Sequence, residues 1–336
     1  MTVTIKDVAK RAGVATSTVS RTLKNQTNIS EATKAKVRKA IKELGYVPNM
    51  AAQNLASKAT NNIGLILPPT AKDKNIEQPF FMDLISEISQ ALNDNQYTAS
   101  IASANTSDKL LDVVKMMQQK RSVDGFMLLY SIENDLVAKY LLEEKVHFVM
   151  IGKPNDNNNQ IRYVDNDNIS VGRTATKFLI DNGHRNIIFV GRNLKEFVFR
   201  ERFNGYKLEM DWNNLSASEM ICTEDALSVE KMISLLNDKK IDAIVAGDDV
   251  VAVKLMPLLS SYGYEVGQDI SLIGVNNSVF STLFHPYLTT INIHVSELAK
   301  QGANLVVELL SDQTTTNYVI PHEIVVRETV KKQVNN

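Results

Sequence analysis

From residue 61 onward, short apolar runs alternate with helical patterns, and this alternation constrains the fold more than any other feature. Strand-like runs lie at residues 63–67, 97–102, 125–129, 147–151, 186–190, 243–246 and 270–275. Amphipathic patterns lie between them, as at residues 81–93, where apolar side chains recur at helical spacing. Strands that alternate with helices predict an α/β fold, with parallel sheets covered by helices. Because about 275 residues is long for one sheet, we expect two similar lobes.

The first sixty residues differ from the rest of the chain in charge. They contain eleven Lys and Arg residues against three Asp and Glu residues, a net charge of +8. The remaining residues contain 26 basic and 35 acidic side chains, a net charge of −9. A compact basic segment joined to an acidic body favours a unit that binds a polyanion, attached to a larger domain that does not. A solvated basic surface without a partner is the alternative.

The basic segment contains three short helical patterns. We predict helices at residues 5–12, 16–24 and 30–44, with Thr4 and Ser30 as N-caps and Gly13 and Gly45 at the C-terminal ends. Two short helices joined by a tight turn, with a third that completes the core, are the layout of a helix-turn-helix DNA-binding unit. The second helix exposes short polar side chains and Arg21, which suits contact with base edges in a major groove.

Three segments of the basic region carry dense motifs, at residues 5–21 (IKDVAKRAGVATSTVSR), 42–49 (KELGYVPN) and 52–56 (AQNLA). Further motifs follow at residues 182–185 (NGHR), 202–206 (RFNGY), 266–274 (VGQDISLIG) and 325–328 (VVRE). Together they resemble the lactose-repressor/galactose-repressor (LacI/GalR) family of bacterial transcription regulators over essentially the whole chain. The resemblance implies a helix-turn-helix headpiece at 1–47, a hinge helix or linker at 48–60, and an effector-binding and dimerisation domain at 61–336. That domain is expected to have two lobes like a periplasmic binding protein.

The resemblance also assigns DNA contacts residue by residue. The family's base-reading positions match Thr16, Ser17 and Arg21. Its phosphate-contacting positions match Thr4, Ser20, Asn25, Ser30 and Thr33. The hinge segment adds Asn49, Ala52 and Leu55. Leu55 matches an apolar wedge that enters the minor groove, whereas packing on the following domain is the alternative for this side chain.

A small ligand in the cleft between the lobes is a further implication of the resemblance. The expected effector-binding residues are Phe80, Arg202, Asp248 and Asn276. Arg202 matches the family's effector-binding arginine, whereas Asp248 and Asn276 each follow a predicted strand, where open α/β sheets bind ligands. Weaker aromatic candidates are Phe197, Phe199 and Trp212, and Asp165 and His184 fit either a structural role or a binding role.

Two features indicate a branch of the family. The insertion at residues 70–75 (TAKDKN) and the pair Asn276 and Asn277 look most like maltose-operon repressors. This similarity implies a sugar effector, maltose or a maltodextrin. The alternatives are a different effector, which includes another sugar, a nucleoside or a co-repressor, and a sugar-binding transport protein.

Other function classes lack their sequence signals. No run approaches the roughly 18 apolar residues of a membrane helix, and the N-terminus lacks the layout of a secretion signal. One cysteine, Cys222, excludes a disulfide within the chain and a cysteine-based zinc site. The chain has no glycine-rich phosphate loop and no Gly-x-Ser-x-Gly elbow, which argues against a sugar kinase or hydrolase. We therefore expect no enzyme activity, no cofactor, no metal and no membrane contact, and a cytoplasmic location.

The sequence thus predicts a homodimeric repressor that binds a near-palindromic operator and is released by a sugar. Two headpieces related by the two-fold axis of a dimer match two operator half-sites. The few residues after Glu328 leave no room for a leucine-heptad tail, so we expect a dimer rather than a tetramer.

Overall fold

The computed structural model describes residues 3–23, 29–46, 59–69, 79–154, 160–192, 196–219, 221–223, 226–238 and 240–331. The chain forms two compact units, Met1–Thr60 and Asn61–Asn336. Four of the predicted DNA-contacting residues, Asn25, Asn49, Ala52 and Leu55, lie outside the described residues.

The first unit contains three helices, α1 (Ile5–Ala12), α2 (Thr16–Leu23) and α3 (Glu31–Leu44). The Asp7 carboxylate accepts hydrogen bonds from the Thr4 backbone N–H at 2.9 Å and from the Thr4 hydroxyl at 2.7 Å, which fixes the start of α1. Gly13 and Gly45 end α1 and α3 with φ of 67° and 60°, in the left-handed region that favours glycine. The three predicted helices, the N-caps Thr4 and Ser30, and the glycines that end α1 and α3 are therefore confirmed, whereas the predicted end of α2 at residue 24 lies outside the described residues.

The core of this small unit contains apolar side chains from all three helices. Val8, Val19 and Val37 are fully buried, and Tyr46 packs beside them after α3 ends. The inner face of α2 packs into this core, and its outer face is exposed to solvent. Thr16, Ser17 and Arg21 lie on the outer face.

The second unit contains two sheets of six strands each among its described residues. The first sheet has the order β2 (Thr98–Ala102), β1 (Asn62–Ile66), β3 (Gly125–Leu128), β4 (Phe148–Ile151), β5 (Arg162–Asn166) and β11 (Tyr318–Ile320), and all neighbours are parallel. The helices α4 (Pro79–Asp94), α5 (Ser107–Gln119), α6 (Leu136–Glu143) and α11 (Val295–Leu310) belong to this lobe. We call it the first lobe.

The second sheet has the order β7 (Ile221–Cys222), β6 (Ile187–Gly191), β8 (Ala243–Ala246), β9 (Ser271–Val275), β10 (Thr289–Asn292) and β12 (Glu323–Val325). All pairs are parallel except β10 with β12. The helices α7 (Asn168–Asp181), α8 (Phe197–Trp212), α9 (Ala226–Asn237) and α10 (Asp249–Ser261), with a 3₁₀ helix at Val279–Thr282, complete the second lobe. The predicted α/β fold with two parallel-sheet lobes is confirmed.

The seven predicted strands all form, each with ends within one residue of the prediction. Five strands were missed, namely β5, β7, β10, β11 and β12. β5 and β10 carry Arg162, Asp165, Thr289 and Thr290, so they lack the continuous apolar run of a buried parallel strand. Thr289 and Thr290 are nevertheless fully buried, because tertiary hydrogen bonds satisfy their hydroxyls.

The chain passes between the lobes three times. The first crossover joins β5 to α7 at residues 166–168, the second joins β10 to α11 at residues 292–295, and the third joins β11 to β12 at residues 320–323. Each lobe is therefore built from segments that are far apart in sequence. Within the part of the chain that the structure describes, helices are too short or too polar to cross a membrane.

Candidate functional site

A cavity of about 870 Å³ lies between the two lobes of the second unit. Its wall contains residues that lie one or two positions after the ends of β1, β3, β4, β6, β8 and β9, so the carboxyl ends of both sheets face it. This is where open parallel sheets place ligands, because the helix N-termini and connecting loops converge there. The volume is in the range of small-molecule binding sites.

All four residues that the sequence nominated for effector binding line this cavity. They are Phe80, Arg202, Asp248 and Asn276. Phe197 and Phe199 also line it, but Trp212 does not and is 78% exposed, so its assignment to the cleft is wrong. Trp212 is at the C-terminal end of α8, and a helix of sixteen residues carries it too far from the cavity.

Arg202 is fixed by two hydrogen bonds in the cavity wall. Its Nε donates to Asn168 Oδ1 at 3.0 Å and its Nη1 donates to the Gly247 carbonyl at 2.7 Å. Only 5% of the residue is exposed, and burial lowers the pKa of the guanidinium to about 10. Because this pKa is still well above 7, the group is charged at neutral pH. A guanidinium has five N–H donors, so these two bonds do not exhaust it.

Asp248 joins a helix terminus to a second arginine. Its Oδ1 accepts from the Val251 backbone N–H at 2.8 Å, which caps α10, and its Oδ2 lies 3.2 Å from Arg192 Nη2. Arg192 also pairs with Glu196 at 3.2 Å and lies 4.9 Å from the Phe199 ring centroid. Sequence reasoning missed Arg192. Its position directly after β6 was the available signal, since Asp248 and Asn276 were found by the same rule.

Asn276 has an unusual backbone conformation at the end of β9. Its φ is 116°, in a region that side-chain-bearing residues rarely adopt, and Asn277 follows at 51°. The Oδ1 atom of Asn276 is buried and accepts no hydrogen bond from the described residues. Such strain and unpaired polar atoms are concentrated at ligand sites, where a bound group supplies the missing partner.

The sequence left open whether His184 and Asp165 have a structural role or a binding role, and the structure places the two residues differently. His184 is fully buried away from the cavity, with Nε2 3.1 Å from the Lys331 carbonyl and Nδ1 3.4 Å from Asp242, so its role is structural. Asp165 lines the cavity and accepts from the Lys153 backbone N–H at 2.8 Å. Burial raises the pKa of Asp165 to about 6, although its hydrogen bonds oppose this rise.

The first unit carries the described members of the nominated DNA-contacting set at exposed or half-buried positions. Thr16, Ser17 and Arg21 are exposed on α2, and Ser20 is half-buried beside them. Thr4 and Ser30 are exposed N-caps of α1 and α3, and Thr33 donates its backbone N–H to Ser30 Oγ at 3.4 Å. Exposed N-caps of this kind suit phosphate oxygens, since helix N-termini favour anions.

Two family profiles match the chain. The profile described as bacterial regulatory proteins, lacI family, matches residues 4–49, and the profile described as a periplasmic binding protein-like domain matches residues 176–330. The HTH-type transcriptional regulator MalR of Streptococcus pneumoniae is 32% identical over 339 residues, which cover 99% of this chain and all of MalR. The chain belongs to the LacI family. It is therefore a DNA-binding transcriptional regulator and not an enzyme.

Two solved structures of LacI-family relatives share its fold. A probable maltose operon transcriptional repressor malR from Staphylococcus aureus is 26% identical, with a TM-score of 0.75 over 81% of this chain and 98% of that one. A transcriptional regulator CelR–cellobiose complex is 26% identical, with a TM-score of 0.74 over 97% of this chain and 99% of that one.

The described residues of this LacI-family chain contain no evident metal site. Among the residues that the structure describes, no group of three or more His, Cys, Asp or Glu side chains is placed to bind a metal ion. Of the acidic residues that line the cavity, Asp248 and Glu196 pair with Arg192, whereas Asp249 is bonded to neutral donors. Asp249 accepts from the Thr290 hydroxyl at 2.6 Å and from the Ser278 backbone N–H at 2.7 Å.

Asp249 should make stability depend on pH. Burial raises its pKa from 3.8 to about 7, so the folded state binds a proton that the unfolded chain releases. This contribution is present at low pH and is lost as pH rises from about 4 to about 7. In urea denaturation, we expect the free energy of unfolding of the unsubstituted protein to fall by roughly 2–3 kcal/mol between pH 5 and pH 7 because of this group, and we expect this decrease to be absent in Asp249→Asn. Equal pH dependence in both proteins would contradict this assignment.

Proposed function

We propose that this LacI-family regulator is a repressor of a carbohydrate operon, released from its operator when maltose or a maltodextrin binds between the lobes. One observation carries the proposal. The nominated effector-binding residues meet in a single cavity at the carboxyl ends of both sheets, so a ligand there contacts both lobes at once. Such a ligand can change the relative position of the lobes only if it binds one arrangement more tightly.

The lining of the cavity favours a neutral polyhydroxyl ligand. Among the described residues that line it, four are basic and five are acidic. The basic ones are Lys153, Arg192, Arg202 and Lys254, and the acidic ones are Glu133, Asp165, Glu196, Asp248 and Asp249. A nearly balanced set of charged groups supplies donors and acceptors for hydroxyls without a strong preference for either sign of charge.

Aromatic residues supply the apolar part of the same wall. Phe80 and Phe81 line the cavity at the start of α4, with ring centroids 5.3 Å apart at 66°. A sugar ring presents an apolar face to such rings while its hydroxyls contact the charged groups. The volume of about 870 Å³ accommodates a disaccharide or a longer oligosaccharide. The relatives named for a maltose operon and for a cellobiose complex support a disaccharide.

The same proposal assigns roles along the chain. We place operator recognition in a headpiece at 1–47, coupling in a hinge segment at 48–60, and effector binding and dimerisation at 61–336. Two headpieces in a homodimer would bind a near-palindromic operator. The sugar then weakens operator binding, and the operator weakens sugar binding by the same factor, because one coupling free energy links the two sites.

A fluorescence-anisotropy titration tests the proposal. The full-length protein is titrated onto a labelled palindromic duplex selected from random sequence, without sugar and with saturating maltose, maltotriose or cellobiose. We expect maltose or maltotriose to weaken operator binding. Specific binding that only cellobiose weakens would support the second candidate, a cellobiose-responsive regulator, which the CelR complex favours. Operator binding that no sugar changes would contradict the proposed effector class.

Replacement of Arg21 tests the proposed recognition helix. Arg21→Ala should lose about 10- to 100-fold in preference for the selected operator, since a bidentate arginine–guanine contact is worth about 1–3 kcal/mol. The matched control is Arg21→Lys, which keeps the charge but not the planar fork, and it should retain affinity for nonspecific DNA while operator preference falls. Unchanged operator preference in both variants would contradict the role of α2.

A further inference from the structure

The three crossovers between the lobes meet at one side chain, Asn166. Its Nδ2 donates to the Ile320 carbonyl at 3.0 Å and to the Ile293 carbonyl at 3.1 Å. Asn166 itself ends β5 in the first crossover, Ile293 lies in the second, and Ile320 ends β11 at the third. One amide group therefore bonds all three connections to one another.

The chemistry of the amide fits this arrangement. A side-chain NH₂ has two donors, and here each donor is satisfied by a different crossover. Asn166 is only 5% exposed, so a lost bond would leave a buried carbonyl unpaired. An aspartate has the same shape but, when ionised, only accepts, and it would face two carbonyl oxygens with a negative charge.

Neighbouring contacts fix where the amide points. The Asn166 backbone N–H donates to Asp165 Oδ1 at 2.8 Å, and Asn166 lies opposite Ile320 in the parallel pairing of β5 with β11. The Asn168 side chain, which also accepts from Arg202, donates to the Asn166 carbonyl at 3.3 Å. Asn166 itself lines the cavity, as do Asn168 and Ile293, so the crossover amide lies where a ligand binds between the lobes.

We propose that Asn166 is a positioning residue that makes the three crossovers bend together, so that the lobes move as two rigid bodies about one hinge. Three independent connections would each bend separately, and ligand binding would then be spread over many lobe arrangements. Bonded together, they restrict the lobes to a narrow set of arrangements, which a ligand can shift between discrete states. The link from lobe motion to operator release rests on the proposed function, whereas the hinge role does not.

Spin labels can measure this directly without any ligand. In a Cys222→Ser background, nitroxides are attached at Lys139→Cys in the first lobe and Ser260→Cys in the second, both exposed positions. Distances are measured by double electron–electron resonance in labelled protein diluted with unlabelled protein, so that only labels in one chain contribute. In the unsubstituted protein we expect a single narrow distribution of interlobe distances. In Asn166→Asp and in Asn166→Ala we expect this distribution to become broad.

Two controls separate a hinge role from general loosening. A label pair within the first lobe, at Lys139→Cys and Gln90→Cys, should give the same narrow peak in every variant. Tyr206→Phe removes a buried hydrogen bond from Tyr206 Oη to the Ile187 carbonyl at 2.8 Å inside the second lobe, and should leave the interlobe peak narrow. A narrow interlobe peak in both Asn166 variants would overturn the proposal. So would a broad peak in the unsubstituted protein or equal broadening in Tyr206→Phe.

Operator binding provides the second measurement. The operator affinity is measured without sugar and at saturating maltose. The ratio of the two affinities should lie in the roughly 5- to 150-fold range of allosteric coupling in the unsubstituted protein, and should be about twofold in Asn166→Asp. Saturation removes any effect of the substitution on sugar affinity itself. If maltose leaves the unsubstituted protein unchanged, the proposed effector is wrong, and the interlobe distances still decide the role of Asn166.

Discussion

Gly205→Ala should destabilise the second unit by about 3 kcal/mol or more, near the upper end of overpacking effects. A Cβ atom at Gly205 would lie 2.1 Å from the Ile169 carbonyl oxygen and 2.9 Å from the Arg173 backbone nitrogen. Both are backbone atoms of α7, so neither can move aside as a flexible side chain could. The two helices must separate, and every contact between them weakens.

Thermal unfolding is the measurement, with an expected decrease in Tm on the order of 6–12 °C. Gly172→Ala should behave similarly, because its Cβ would lie 2.0 Å from the Arg202 carbonyl oxygen in the same helix pair. The control is Lys207→Ala on the exposed side of α8, which should change Tm little. A Gly205→Ala protein as stable as this control would show that α7 and α8 do not need their close approach.

Arg202→Ala should abolish the response to sugar while the headpiece still binds operator. The substitution removes the guanidinium from the cavity wall and leaves Asn168 Oδ1 and the Gly247 carbonyl without that donor. Hydrogen bonds to charged groups contribute about 1.5–3 kcal/mol, so sugar binding should weaken roughly 10- to 150-fold. Calorimetric titration with maltose gives the affinity, and anisotropy with operator DNA gives the response.

A matched control removes the same charge from a position outside the cavity. Arg173→Ala removes a half-exposed arginine from α7 that pairs with Glu209 at 3.0 Å and does not line the cavity. It should bind and respond to maltose like the unsubstituted protein. Full responsiveness in Arg202→Ala would place the effector elsewhere. Circular dichroism of both variants distinguishes a lost ligand contact from a lost fold.

Much of the fold follows from local sequence patterns. Gly13, Gly45 and the caps Thr4 and Ser30 lie where the helix ends form, because capping depends on residues within one turn of the chain. Six of the seven predicted runs became buried strands for a similar reason, since a strand buried on both faces must be apolar throughout, whereas β2 lies at the edge of its sheet and is largely accessible. The polar strands β5 and β10 were missed because they lack a continuous apolar run, and tertiary contacts satisfy their polar side chains: Asn166 of β5 donates to the Ile293 carbonyl, and Thr290 of β10 donates to Asp249.

The candidate site divides in the same way. Asp248 and Asn276 could be nominated because each follows a strand, and Phe80 because it follows the first strand and can stack on the apolar face of a sugar. The resemblance to the LacI/GalR family supplied Arg202. Arg192 was overlooked and Trp212 was misplaced, since linear order does not report which side of a helix or loop faces a cavity.

By itself, the sequence determined the division into a basic three-helix segment and an acidic α/β body, the capped helix ends, and the family. These depend on charge, periodicity and local hydrogen bonding, which act over a few residues. Only the tertiary structure decided the exclusion of Trp212, the pairing of Arg192 with Asp248, and the meeting of three crossovers at Asn166. Such contacts join segments that are distant in sequence, and the one at Asn166 exists only when the chain has passed between the lobes three times.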